Sequence, residues 1–306
     1  MANAQPRKFK TISEFHQFRG LPKPEHPLIS VIDLATVTQL LPNETSMVKD
    51  FYSIALKRNF NVKMKYGQQE YDFDEGVMFF MAPGQVLRLE HENNTQLTQS
   101  GWMLLIHPDF LWSTPLAKTI KKYEYFDYAV NEALFLSDKE ETILIGIMQN
   151  IQQEYHANID KFSQDIIISQ LEVLFNYCER FYHRQFLTRK INNHQILSRL
   201  EEVLTTYFNT NDLLKKGIPS VQYIADALNV SPNYLSGLLK VLTGQSTQQH
   251  IHEKLIEKAK EKLSTTNLSV SEIAYELGFE HPQSFSKLFK MKTTFSPVAF
   301  RQSFVN

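Results

Sequence analysis

The chain has 306 residues, enough for about two domains that each bury a core. Its net charge of −1 excludes a protein that is cationic throughout, so any nucleic-acid reading must rest on local charge. A single cysteine, Cys178, excludes an internal disulfide. With no apolar run long enough to span a bilayer and no signal peptide in the first residues, the expected location is the cytoplasm.

Residues 1–48 carry few periodic signals. Pro22, Pro24 and Pro27 favour extended, turning chain, and Leu28 to Asp33 reads as a strand. From Asp50 to His107 the signature is β. Phe51–Leu56 and Val62–Tyr66 are runs of strand-favouring residues separated by turn signals, while Val77–Met81 and Trp102–Ile106 are continuous apolar strands that must be buried on both faces or line a cavity. Several short strands in succession suggest a small barrel or jelly roll. Its aromatics, Phe51, Tyr52, Phe60, Tyr66, Tyr71, Phe73, Phe79, Phe80 and Trp102, fill the interior and could leave room for a ligand.

A metal centre in such a barrel needs two closely spaced His, a carboxylate and a further His. Residues 50–107 contain only His91, Glu92 and His107 as candidates. His250 and His252 fall in a helical stretch, where positions two apart point to different faces. No metal, no other cofactor and no catalytic residue is expected.

From Pro115 to about Phe186 the pattern turns helical. Ser137 and Glu140 form a capping-box signature ahead of Ile143, Leu144, Ile147, Ile151 and Tyr155. A second helix runs from Ser163 through Leu171, Phe175 and Cys178 to Phe181, with Cys178 as buried filler. The polar, basic stretch Tyr182–His194 reads as the join between domains. Ile196, Leu197, Leu200, Val203, Leu204 and Tyr207 mark a further helix, and Asn209–Pro219 a loop.

The last third contains an internal repeat. Residues 220–240 match residues 269–290 element by element: Ile224 with Ile273, Ala225 with Ala274, Leu228 with Leu277, Pro232 with Pro282, Leu235 with Phe285, and Lys240 with Lys290. In each copy a serine caps a short helix and a turn follows. Gly278 supplies the left-handed turn residue in the second copy and Asn229 in the first. A proline then opens a second helix with an apolar stripe. Ile251, Leu255, Ile256, Ala259 and Leu263 mark one helix connecting the copies. Such a pair of helices, with an uncharged polar tip and a basic flank, suits two major-groove contacts ~34 Å apart on one face of B-DNA. From Leu213 onward the chain holds eleven Lys/Arg against seven Asp/Glu, a local surplus of four, leaving −5 on the remainder.

The string Ile273-Ala274, Leu277-Gly278-Phe279, Phe285-Ser286-Lys287-Leu288-Phe289-Lys290, Ser296-Pro297 and Phe300-Arg301, behind a linking helix containing Glu257–Leu263, resembles the DNA-binding domain of the AraC/XylS family of bacterial transcription regulators. That resemblance covers roughly the last third of the chain. It implies an α+β protein. Residues 1–186 would form a cupin-like β-barrel followed by two long helices, a regulatory and dimerisation domain. Residues 187–306 would form an all-α DNA-binding domain whose two helix-turn-helix units, about 220–240 and 269–290, are joined by a linking helix. By alignment to the family motif, Asn233, Ser236 and Gly237 in the first unit, and Gln283, Ser284 and Lys287 in the second, match base-reading positions. Amides suit adenine and Lys suits guanine acceptors. Lys240 and Lys290, with the helix starts at Ser220 and Ser269, match phosphate contacts. The implied partners are double-stranded DNA, a small-molecule effector in the barrel, a second copy of the chain, and RNA polymerase as a further candidate.

Three residues depart from the family pattern. Gly237 stands where Arg is common, Leu255 where the linking helix often has Arg, and Thr294 where Gly usually turns the chain. If that turn keeps a positive φ, a β-branched residue there costs about 1–3 kcal/mol. The competing reading is a cupin-type metal-dependent enzyme with a helical accessory domain, which lacks its ligand cluster.

Overall fold

The computed structural model describes residues 6–37, 45–58, 76–89, 100–128, 132–157, 160, 162–188, 190–210 and 212–303. The chain divides into two compact units, Met1–Gln185 and Phe186–Asn306.

The first unit holds two sheets. Strands β1 (Arg7–Phe9), β3 (Thr45–Lys49) and β6 (Val86–Leu89) form one, in the order β1-β3-β6. The other has the order β2-β7-β4-β5-β8, antiparallel throughout, from β2 (Ile29–Asp33), β7 (Ser100–Ile106), β4 (Tyr52–Arg58), β5 (Val77–Met81) and β8 (Leu134–Phe135). The five-stranded sheet is covered on both sides, which is why β5 and β7 read as unbroken apolar runs. On one side Phe80 packs 4.5 Å from Tyr125 between ring centroids, and Cys178 Sγ lies 3.8 Å from Met78 Sδ. Burial pushes the Cys178 thiol up, as expected of an unreactive filler. On the other side Leu105, with Phe79 and Met103 packed against it, shares a core with Phe9, Met47, and Ile12 and Phe15 of helix α1 (Ile12–Phe18).

The structure is α+β, but the expected closed barrel is not seen: among the described residues two open sheets face a shared core. The aromatics expected to fill one interior are divided between layers, with Phe51 and Phe79 toward the small sheet and Tyr52 and Phe80 toward Phe126. The expected strand Val62–Tyr66 and the residues Phe60, Tyr66, Tyr71, Phe73, His91 and Glu92 lie outside the described residues. In the amino-terminal stretch, β1 and α1 escaped the sequence reading. Thr11 and Glu14 cap α1 reciprocally, with Glu14 N–H donating to Thr11 Oγ1 at 3.2 Å and Lys10 N–H and Thr11 N–H donating to Glu14 Oε2.

After the short helix α2 (Leu116–Thr119), α3 (Asp138–His156) and α4 (Ser163–Thr188) are the two long helices. Ser137 N–H donates to Glu140 Oε2 at 2.9 Å, the capping box the sequence signals. The stretch expected to be a join is instead helical: α4 continues to Thr188 and α5 (Lys190–Asn209) begins two residues later. Distant partners make it so. Arg184 forks onto Glu140 at 3.0 and 2.5 Å, and buried Gln185 accepts from Phe135 N–H and donates to Ala133 carbonyl.

In the second unit Leu200, Leu204 and Tyr207 of α5 are buried together with Leu213 of α6 (Asp212–Lys216), a short helix where a loop is expected. They share one core with α7 (Val221–Leu228), α8 (Pro232–Thr243), α9 (Thr247–Thr265), α10 (Val270–Glu276), α11 (Pro282–Thr293) and α12 (Pro297–Gln302). All five residues of the expected α9 stripe are buried. Leu255 has no exposed surface, so an apolar side chain there is part of the core.

Candidate nucleic-acid interface

The repeat seen in the sequence is a repeat of three-dimensional detail. Ser220 caps α7 by accepting from Tyr223 N–H, and Ser269 caps α10 by accepting from Glu272 N–H. Asn229 (φ 57°) and Gly278 (φ 78°) both adopt the left-handed conformation. The next residue then donates back across the helix end, Val230 to Ala225 and Phe279 to Ala274, each at 3.0 Å. Asparagine suffices in the first turn. The second requires glycine, because a Cβ at 278 would stand 2.9 Å from both the Gly217 Cα and the Leu213 carbonyl oxygen.

The following helices open at Pro232 and Pro282 and bury Leu235, Leu238 and Leu239 in one case, Phe285 and Phe289 in the other. Both end alike. Thr243 and Thr293 donate to the carbonyls of Leu239 and Phe289, and accept from Gln245 and Phe295 N–H. The left-handed cap is Gly244 (φ 76°) after α8 and Thr294 (φ 67°) after α11, so Thr294 does hold the positive φ that the sequence reading feared.

Burying Phe285 and Phe289 leaves Gln283, Lys287 and Lys290 exposed at i, i+4 and i+7 on one face of α11, with Ser284 beside them. His281, exposed at the N-cap, is a further polar group at this tip that the sequence reading passed over; its place directly before Pro282 is the signal for it. Residue-for-residue, the matching stripe on α8 is Asn233, Gly237 and Lys240. Asn233 and Gly237 are half-buried and Lys240 is exposed. Gly237 offers no side chain where α11 offers Lys287.

Ser236 differs from the expectation that it faces outward. It matches Ser286, not Ser284; both are half-buried, and the Ser236 hydroxyl lies 3.0 Å from that of fully buried Thr247 at the start of α9. Its hydroxyl is engaged inside the unit.

The charges are unevenly matched. On α9, Lys254, Lys258 and Lys262 pair with Glu201, Glu261 and Glu276 at 2.8, 2.8 and 2.6 Å. Lys240, Lys287 and Lys290 form no ion pair with any described residue. The two helix starts also differ. At Ser220 the first turn of α7 has no acid, whereas Glu272 sits at the start of α10, where the Ser269 hydroxyl and N–H hold its carboxyl below the ordinary carboxylate range. A fixed negative charge there makes α10 the poorer phosphate site.

Residues 224–303 match the family model described as a helix-turn-helix domain. Over 115 residues the chain is 32% identical to an uncharacterized HTH-type transcriptional regulator from Pseudoalteromonas carrageenovora, covering 38% of this chain and 63% of that protein, under two thirds of its length. Over 255 residues it is 24% identical to the HTH-type transcriptional activator RhaS of Salmonella schwarzengrund, covering 83% of this chain and 86% of that one. Among solved structures, a transcriptional regulator of the AraC-type DNA-binding-domain group from Chromobacterium violaceum is 20% identical over 38% of this chain and 97% of its own, with a TM-score of 0.33. No helix among the described residues is long and apolar enough to cross a membrane. The paired helix-turn-helix units and their matched turn residues thus lie in a region that fits a helix-turn-helix domain model and is similar to proteins named as regulators of transcription.

Proposed function

We propose that the chain regulates transcription in the cytoplasm by binding specific sequences in duplex DNA. The observation that carries this is the stripe Gln283, Lys287 and Lys290, exposed on a helix whose opposite face is core, with its cations in no ion pair to any described residue while Lys254, Lys258 and Lys262 of the connecting helix are paired. An amide at the tip suits base edges in the major groove, and the cations behind it suit guanine acceptors and phosphate. In this reading Gln283, Ser284 and Lys287 read bases, assisted by Asn233 on α8. Gly237 limits what α8 reads. Lys240, Lys290 and the α7 start at Ser220 hold phosphate, with the α10 start at Ser269 weaker.

The amino-terminal unit is assigned the regulatory role, with its two facing sheets as a cupin-like half that receives an effector. Exposed Ile166 and Val173, one heptad apart on α4 with Phe162 nearby, support pairing of that helix with a second copy. RNA polymerase remains a further partner in this reading. The test is selection of duplexes from a random pool by the full chain, followed by binding of the selected site across a salt series. Lys287→Glu is expected to abolish selective binding, and Lys290→Ala to reduce the steepness of log K against log salt by about 0.9. Enrichment of no sequence, or full binding by Lys287→Glu, refutes the reading.

A further inference from the structure

A cavity of about 330 Å³ opens in the amino-terminal unit on the helix-covered side of the five-stranded sheet. Ser30 and Ile32 of β2 stand opposite Leu105 and Met103 and face the core shared by the two sheets, so Ile29, one position along, faces the other way. Ile29 forms the cavity floor with Phe110 and with Ile167 of α4, all 5% exposed or less. The volume falls in the range of small-ligand pockets. Its walls are tied together from distant parts of the chain. Glu25 N–H donates to Tyr155 Oη at 2.6 Å and the Glu25 carboxylate lies 2.7 Å from His156 Nδ1, which fixes the segment before β2 to the end of α3. Gln164 Nε2 donates to the Phe110 carbonyl at 2.7 Å, which fixes α4 to the turn Pro108–Leu111.

The polar groups left over at this cavity are mostly acceptors. Asp160 uses Oδ1 for the N–H groups of Phe162 and Ser163, at 2.8 and 3.0 Å, and for the Ser163 hydroxyl at 3.3 Å, and Oδ2 remains. Gln164 has its amide nitrogen engaged, so Oε1 remains. Glu154 is half-buried, and its carboxylate has no hydrogen bond or ion pair to a described residue. Asp109 stands at the exposed edge, 3.5 Å from His107 Nδ1. No Lys or Arg is among the described residues that line the cavity, and its one histidine is neutral. His26 Nδ1 accepts from Leu28 N–H at 3.1 Å, and burial holds the ring below the ordinary histidine range. Carboxylates of one sign around an apolar floor focus a negative potential into the cleft and favour a cation. Among the described residues no three His, Cys, Asp or Glu stand close enough to hold a metal ion, so the charge must come on a larger body.

We propose that this cavity binds a small organic cation. An ammonium or amidinium head donates to Glu154, Asp160 and Gln164, and an apolar body rests on Ile29, Phe110 and Ile167. The site is separate from the space between the two sheets, and its occupancy does not depend on the regulator reading.

The test is thermal unfolding of the full chain together with a fluorescence titration. Trp112, two residues beyond Phe110 and 75% exposed, reports from the edge of the cavity. Probes are benzylamine and benzamidine, with benzyl alcohol and benzamide as neutral counterparts and benzoate as the anion. At least one cation is expected to raise the melting temperature by on the order of 3–5 °C at ten times its Kd, and the neutral probes and benzoate are expected to do nothing. The preference between benzylamine and benzamidine tells an ammonium head from a planar one. Glu154→Gln is expected to weaken the cation about tenfold without moving the melting temperature of the ligand-free chain. Ile167→Phe, which fills the floor, serves as the second variant and is expected to abolish binding. The proposal is overturned if neither cation shifts the wild type, if a neutral probe or benzoate shifts it equally, or if either variant, folded, binds the cation as the wild type does. Duplex binding by the ligand-free wild type is measured in parallel. Failure there refutes the regulator reading alone and leaves the cation result standing.

Discussion

Replacing Thr294 with glycine is expected to stabilise the carboxyl-terminal unit, although it removes a side chain. Thr294 holds φ at 67° as the cap of α11. For a β-branched residue this conformation costs about 1–3 kcal/mol. Two terms oppose the gain. The Thr294 hydroxyl bonds the adjacent Thr293 carbonyl at 2.5 Å, but the residue is exposed, so that bond contributes little. Glycine also gives the unfolded chain more freedom, about 0.4–1 kcal/mol. The balance is a gain of about 1 kcal/mol, or roughly 3–5 °C for a unit of this size. The repeat supplies the reciprocal experiment. Gly244 caps α8 at φ 76°, and a Cβ there would meet nothing within 4 Å. Gly244→Thr therefore isolates the backbone cost and is expected to destabilise by about 1–2 kcal/mol. Urea unfolding of the full chain, followed by far-ultraviolet circular dichroism, measures both. If Thr294→Gly is neutral or destabilising while Gly244→Thr costs as stated, the strain assigned to Thr294 is absent and the reasoning fails.

Further expectations use the same geometry. Gly278→Ala combines left-handed strain with close approach to Gly217 and Leu213, so it is expected to cost about 3 kcal/mol or more, whereas Asn229→Gly is expected to change stability by a few tenths; equal effects in urea unfolding would disprove the crowding argument. Ser236→Ala strands the Thr247 hydroxyl and is expected to cost about 1–2 kcal/mol with no change in duplex affinity, while Gln283→Ala should do the reverse; a drop in affinity for Ser236→Ala at unchanged stability would place that hydroxyl on DNA after all. Lys49 titrates near 7 when folded and near 10.5 when unfolded, so between these values the unfolded chain holds more protons and stability rises with pH. Below about pH 7 both states carry the charge and the burial cost is felt in full. The slope is roughly 1.4 kcal/mol per pH unit for Lys49, with Lys57 acting in the same sense. Tryptophan-monitored urea unfolding at pH 7 and 9.5 that shows constant or falling stability would contradict it.

Much of the carboxyl-terminal unit was legible because its determinants are local. Ser220, Ser246, Ser269 and Ser296 accept from N–H groups three residues on, and Asn229, Gly278 and Thr294 set their own φ. The α9 stripe follows from helical spacing, and the exposed positions on α11 follow from the burial of Phe285 and Phe289. Ser236 was misplaced because helical spacing gives a direction but not what α9 puts there. In the amino-terminal unit, alternation along Ser53, Ala55 and Lys57 was readable, yet nothing local says that this face is the dry one.

The sequence alone thus determined the twin helix-turn-helix units, since each cap, turn and stripe is an interaction among residues a few positions apart. Tertiary structure alone decided that β4 lies between β7 and β5, that α4 runs on to Thr188 through Arg184 and Gln185, and that Lys49 is enclosed beside Lys57 and Arg19. Those outcomes depend on partners tens of residues away, whose approach is settled only when the sheets and helices bury their apolar faces together.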